Sequence, residues 1–197
     1  TLPFQLQIKT AFQLPVGLQS GSVAVYKGKW LYIGGRINGL HGFDNNNNNF
    51  PPNEQNYNIY VIDPKTQTVV SRSLNDPASG LTQQQIDSLA VTSPQSYQKG
   101  KMLYITGGYG VDSSTGLFST KDVLTAINIP SLMKWVTDPS YSKKKASRYI
   151  EQIYDPIFQV TGGYMTKLED DATLLIFGQN FQGYYTENSN GDYSEQV

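Results

Sequence analysis

The sequence predicts an all-β chain assembled from repeated antiparallel units, and three observations lead to that fold class. An apolar strand ends in a glycine pair at Leu31-Tyr32-Ile33-Gly34-Gly35 and again at Leu103-Tyr104-Ile105-Thr106-Gly107-Gly108. A single-glycine form follows at Leu174-Leu175-Ile176-Phe177-Gly178. The spacing is even: 73 residues separate Gly34 from Gly107, and 71 separate Gly107 from Gly178. A fixed period of that kind marks a row of like structural units. Finally, Lys27-Gly28-Lys29 and Lys99-Gly100-Lys101 precede two of these strands. Glycine at such a turn supplies the positive φ of a tight hairpin.

In the first unit, Val23–Tyr26 and Leu31–Ile33 read as a hairpin, followed by Tyr57–Asp63 and, after Pro64-Lys65-Thr66-Gln67, by Thr68–Ser73. The second unit repeats the pattern with Met102–Thr106, Asp122–Ile129 and, after Pro130-Ser131, Met133–Val136. The third has Thr173–Phe177 after the Glu169-Asp170-Asp171 turn and a further strand starting at Asp192. Four short strands per unit is the content of a propeller blade. Connector helices fill the extra length. Thr82 and Gln85 have capping-box spacing, with Leu81 and Ile86 as the staple, which predicts a helix over Thr82–Ser88. Ala146, Tyr149, Ile150 and Ile153 recur at helical spacing and predict a second over Ser142–Ile153.

An apolar run ending in Gly-Gly, then an aromatic and a Trp-like position, resembles the kelch repeat of β-propellers. The matching residues are Leu31–Gly35 with Tyr57, and Leu103–Gly108 with Trp135. The period of about 72 exceeds the roughly 50 of kelch repeats, and the first unit has Val69 or Val70 where Trp is expected. The resemblance implies one partial kelch-like propeller over residues 1–197. Blade one spans about 11–80, blade two about 88–137 and a partial blade three about 157–197. Residues 2–10, where Leu2, Phe4, Leu6 and Ile8 alternate with polar residues, are the expected closing strand of the last blade. About two and a half blades fall short of the roughly 4–8 of a closed ring. The remainder of the propeller, from the same gene product or another chain, is therefore an expected partner.

Composition narrows the function. Fifteen Lys and Arg against sixteen Asp and Glu leave a net charge of -1, without the clustered positive charge that nucleic-acid binding needs. No apolar run reaches the roughly 20 residues of a membrane span. The chain has no cysteine and one histidine, His41, so thiolate metal sites are excluded and imidazole chemistry is scarce. Thr1 rather than Met opens the chain, which fits either a removed leader or a start inside a longer polypeptide. Low charge with many Tyr, Asn and Gln suits a secreted, periplasmic or cell-surface protein.

The glycine positions Gly34, Gly35, Gly107, Gly108 and Gly178 are structural. The residues after them are the candidate ligand-binding set: Arg36, Asn38 and His41, then Tyr109 and Asp112, then Gln179, Asn180 and Tyr184. If the units align, these loops meet at one face, where polar groups beside aromatic rings suit a glycan or a peptide. The Asp44–Pro52 loop is either an oxygen-rich Ca²⁺ or sugar ligand or a plain loop tip, and no cofactor is required. Lys143-Lys144-Lys145 with Arg148 reads as the solvated face of the second helix. Gly108-Tyr109-Gly110 lacks the helix of a dinucleotide site. Asp87-Ser88-Leu89 resembles an O-glycosylation acceptor of exported proteins. The favoured function is a non-catalytic extracytoplasmic binding propeller that engages a protein or glycan. The alternative is a carbohydrate-active kelch enzyme whose catalytic groups lie largely outside this segment. Copper oxidases of the galactose-oxidase type occur among kelch propellers, but their cysteine-linked tyrosine cannot be built here.

Overall fold

The computed structural model describes residues 3–45, 49–141, 143–169 and 172–188, together with the backbone of residues 192–193. The chain is mostly β, with two four-stranded antiparallel sheets and few helices.

The first sheet contains β1 (Ser22–Tyr26), β2 (Lys29–Ile33), β3 (Asn58–Asp63) and β4 (Thr68–Ser73) in sequence order. Tyr26 pairs with Lys29 across the Lys27-Gly28 turn, where both residues have positive φ, 51° and 75°. That is the backbone a two-residue hairpin requires. Asp63 closes the β3–β4 turn by accepting from the N–H groups of Lys65 and Thr66 at 3.0 and 3.2 Å.

Between the sheets, α1 (Gln83–Leu89) carries the expected capping box: Thr82 Oγ1 accepts from Gln85 N, and Gln85 Oε1 accepts from Thr82 N. The second sheet has the order β10-β9-β6-β5, with β5 (Gln95–Lys99), β6 (Met102–Thr106), β9 (Val123–Asn128) and β10 (Ile150–Tyr154). A short hairpin, β7 (Tyr109–Val111) with β8 (Phe118–Thr120), is inserted between β6 and β9.

Two elements of this unit differ from the sequence reading. Met133–Val136 is not a strand but part of α2 (Ile129–Thr137). Asn128 caps it by accepting from Ser131 N at 3.1 Å, and Pro130 sits in the first turn, where its missing N–H costs nothing. The fourth strand is β10, inside the expected second helix. Of that helix only a single 3-10 turn forms, at Ala146–Arg148. Ile150 is buried but Ile153 is 59% exposed, so the apolar stripe that predicted a helix is not buried as one. The second sheet thus reaches Tyr154, beyond the expected limit near residue 137, and the basic run 143–145 lies on no helix, while Arg148 ends the 3-10 turn.

The core lies between the two sheets. Ala24, Leu31, Ile33, Ile59 and Val61 of the first meet Leu103, Ile105, Ile127 and Ile150 of the second, sealed by Ile86 and Leu89 of α1 and Leu132, Met133 and Trp135 of α2. Each such fully buried aliphatic side chain contributes about 1.5–3 kcal/mol. Trp135 packs beneath the Arg72 guanidinium, 3.7 Å from the ring centre, and Arg72 Nη1 donates to the Trp135 carbonyl at 3.0 Å. The opposite face of the first sheet, Tyr32, Tyr60 and Ile62, is covered by the extended segment containing Phe12, Leu14, Val16 and Leu18. The expected strand over residues 2–10 is not formed among its described residues. Leu6 and Ile8 are 87% and 98% exposed, and no strand among the described residues pairs with this segment.

The third unit begins with β11 (Tyr164–Lys167) and β12 (Thr173–Ile176), joined through a turn whose Asp170 and Asp171 lie outside the described residues. Two residues, β13 (Gln179–Asn180), pair with β14 (Asp192–Tyr193).

The recurrence found in the sequence is a recurrence of backbone contacts. Gln19 and Arg36 exchange reciprocal N–H···O bonds at 3.0 and 2.8 Å. Thr92 and Tyr109 do the same at 2.9 Å each, and Thr161 and Gln179 at 2.8 and 2.9 Å. Adjacent units are stitched in register: Gly35 N donates to Val91 O at 2.7 Å, and Gly108 N to Val160 O at 2.9 Å. The first glycine of each pair explains the close approach. A Cβ on Gly34 (φ +72°) would lie 2.8 Å from Leu89 O, and one on Gly107 (φ +61°) would lie 1.9 Å from Val160 O. In the third unit the same position is Phe177, with φ +56°.

Candidate functional site

Because Arg36, Tyr109 and Gln179 occupy equivalent places, the loops that follow them leave the units in the same direction and enclose a groove of about 420 Å³. Its walls are His41, Phe50, Tyr109, Phe177, Phe181 and Tyr185, and its polar rim is Thr92, Ser93, Thr161 and Gln179. Five of these six rings, all but Phe177, form one connected cluster. His41 lies 4.5 Å from Phe50 and stands edge-on to Tyr185 at 5.3 Å, Phe50 meets Tyr109 at 5.4 Å, and Phe181 meets both Tyr185 at 5.1 Å and Tyr109 at 5.7 Å. Edge-on and tilted contacts are those that ring quadrupoles favour.

Tyr109 is the post of this wall. It is buried, donates its hydroxyl to Gly183 O at 2.6 Å and accepts from Tyr185 N at 3.2 Å, which fixes the 181–185 loop against the β7–β8 hairpin. Burial pushes its hydroxyl pKa far up, so it stays a neutral donor. Asn49 ties down the other side: its buried amide donates to the Asp44 and Tyr185 carbonyls, both at 2.8 Å. The described ends of the Asn-rich loop are therefore anchored to the groove, while residues 46–48 fall outside the description.

Beneath Phe50 lies Arg36, 2% exposed and 4.9 Å from the ring centre. Its Nη2 donates to Gln19 Oε1 at 2.8 Å, whereas Nε and Nη1 have no hydrogen-bond partner. Burial lowers its pKa below the ordinary guanidinium value.

The eight candidate residues do not all converge. His41, Tyr109 and Gln179 line the groove, with Arg36 behind its wall. Asn38 is exposed, and its backbone bridges to Gly17. Asp112 closes its own turn by accepting from Ser114 N and Oγ at 2.8 and 2.6 Å, hydrogen bonds that hold its carboxyl below the usual range. Asn180 donates to Gln159 at 3.1 Å, and Tyr184 packs on Phe118 at 5.4 Å. Of these four, Asp112 and Asn180 stand three and one residues beyond Tyr109 and Gln179, and Tyr184 one before Tyr185, odd offsets that turn a side chain to another face of extended backbone. Sequence reasoning missed Phe50, Phe177, Phe181, Tyr185, Thr92 and Thr161. For the last two a signal was present, since each stands three residues before the first strand of its unit, with a positive-φ residue, Ser93 or Gly162, directly after it. Ser88 is buried and donates to Gln84 O at 2.8 Å, which removes it as an exposed glycosylation acceptor.

Among the described residues no carboxylate lines the groove, and no group of three or more His, Asp or Glu is placed to hold a metal ion. Nor is any described helix long and apolar enough to cross a membrane.

No protein-family model matches the chain, and no curated protein matches it. Among solved structures, a GH43 beta-xylosidase/alpha-arabinofuranosidase from a compost microbial metagenome, in complex with xylotriose and in a calcium-free form, is similar with a TM-score of 0.40 and 13% identity. The similarity covers 83% of this chain and 43% of that one, so the chain spans less than half its length. At that score the likeness assigns neither family nor activity to this chain.

Proposed function

We propose that the chain is part of a kelch-like β-propeller and that its aromatic groove binds a glycan without performing chemistry on it. The supporting observation is the lining itself: six aromatic rings, five of them in mutual contact, rimmed by hydroxyl and amide groups, with no carboxylate among the described lining residues. Sugar rings present C–H faces that pack on aromatic faces and an equator of hydroxyls that pair with Thr, Ser and Gln. Glycoside cleavage requires two carboxyl groups flanking the bond, and this lining supplies none. A ligand-binding role also accounts for Phe177, a bulky residue kept in the left-handed region at a cost of about 1–2 kcal/mol while 69% exposed. Low charge with many Tyr, Asn and Gln suits an extracytoplasmic setting for such a protein.

Binding to an oligosaccharide array followed by calorimetry on the best ligand tests the reading. Phe177→Ala, an exposed change that leaves the core intact, is expected to weaken binding about tenfold, the worth of one lost ring contact. A protein that binds no oligosaccharide, or a variant that binds as well as the parent, overturns it.

A further inference from the structure

A second cavity, of about 370 Å³, shares no lining residue with the aromatic groove. It lies between α1, the β7–β8 turn and the end of β10, and its centre is Lys121. Lys121 is only 9% exposed. Its backbone N–H donates to Gly108 O at 2.9 Å, but its ammonium has no hydrogen bond or ion pair among the described residues. A buried lysine is normally paired, since an uncompensated ammonium is costly to remove from water.

Asp87, Asp112 and Asp122 act on it through their charge, but none forms a hydrogen bond or ion pair with its ammonium among the described residues. Asp87 accepts instead from Ser113 N at 2.8 Å, Ser113 Oγ at 2.6 Å and Gln83 Nε2 at 2.9 Å. Asp112 Oδ1 accepts within its own turn. Asp122, Gln84 and Ser119 line the cavity with no side-chain hydrogen bond among the described residues. Among the lining groups Lys121 is thus a strong donor, Asp122 an acceptor, and Gln84 and Ser119 can do both. Burial lowers the lysine pKa, and Asp112, Asp87 and Asp122 raise it back in part.

We propose that the Lys121 cavity is a second binding site, for a neutral polyhydroxylated ligand of monosaccharide size. An anion drawn to Lys121 would face three carboxylates, and a metal ion drawn to the carboxylates would face the ammonium. A hydroxyl accepts from Lys121 and donates to Asp122, so a diol uses both without a net charge. The volume falls within the roughly 300–1,000 Å³ of small-molecule pockets. This site stands on its own lining and does not rest on the reading of the aromatic groove.

The test is a titration followed by NMR through the Lys121 side-chain Cε–Hε resonance, assigned by its loss in Lys121→Met. Probes are glucose, galactose, mannose and xylose, with glycine and sodium phosphate as charged competitors. At least one sugar should shift the resonance saturably with a dissociation constant of about 1–10 mM. In Lys121→Met the shift of the neighbouring Ser119 amide should vanish. Silence from all four sugars, a response to glycine or phosphate alone, or an unchanged Ser119 shift in the variant overturns the proposal. Groove rings report separately, so failure here is distinguished from failure there.

Discussion

Gly107→Ala probes the seam between the second and third units. The new Cβ would lie 1.9 Å from the Val160 carbonyl oxygen and 2.8 Å from that of Phe158, both backbone atoms with no rotamer to yield. The residue has φ +61°, which costs an alanine about 1–2 kcal/mol before any clash. Relief requires the Val160 strand to retreat by more than an ångström, which breaks the 2.9 Å bond from Gly108 N and leaves a buried N–H unpaired, a further cost of about 1–3 kcal/mol. The total, about 2–5 kcal/mol, is a large part of the roughly 5–15 kcal/mol that holds a domain folded. Gly28→Ala is the control: it has φ +75° in a hairpin turn with nothing within 4 Å, so only backbone strain applies. Urea unfolding followed by circular dichroism measures both. Gly107→Ala should lose at least about 1 kcal/mol more than Gly28→Ala. Equal losses would refute the stitched contact between units.

Further perturbations separate the parts of the account. Phe177→Gly should stabilise the fold by about 1 kcal/mol in the same urea assay, by releasing left-handed strain, while weakening glycan binding. Tyr109→Phe removes the hydroxyl that holds Gly183 and Tyr185, and should cost about 1–2 kcal/mol and raise hydrogen exchange in the 181–185 loop. Arg72 holds the Asp76 carboxyl below its ordinary range through a 2.8 Å bond to Nε, with Ala78 N adding a second. Its folded pKa is thus depressed, so the stabilisation is complete above the unfolded carboxylate value near about 3.9 and is lost as pH falls through the folded value. Asp76→Asn should lower the neutral-pH melting temperature and flatten its fall below about pH 4.

Much of the first sheet was legible because its signals are local: Lys27-Gly28-Lys29 sets one turn, Pro64–Gln67 the next, and alternation sets the faces. The second sheet was misread where two signals competed. Pro130 was taken as a turn by analogy with Pro64, yet Asn128, Pro130 and Ser131 spell a capped helix start, and Leu132, Met133 and Val136 carry its apolar spacing. Ala146, Tyr149, Ile150 and Ile153 imitate a helical stripe, but β9 supplies an open edge, and pairing of Ile150–Tyr154 with Val123–Ile127 satisfies ten backbone-bearing residues at once. The repeat itself is readable from the period, but matching Gly178 to Gly107 sets Asn180 against Tyr109, whereas the backbone contacts set Phe177 against Gly107 and Gln179 against Tyr109. Phe50 was hidden in an Asn-rich loop, and Phe177, Phe181 and Tyr185 reach the groove only through long-range contacts that no local pattern encodes.

The most direct measurement is NMR observation of the aromatic side chains while an array-selected oligosaccharide is added. Saturable shifts confined to the rings of His41, Phe177, Phe181 and Tyr185 are the result expected of a sugar seated in this groove. Ring resonances that stay fixed while the oligosaccharide binds elsewhere would contradict the account.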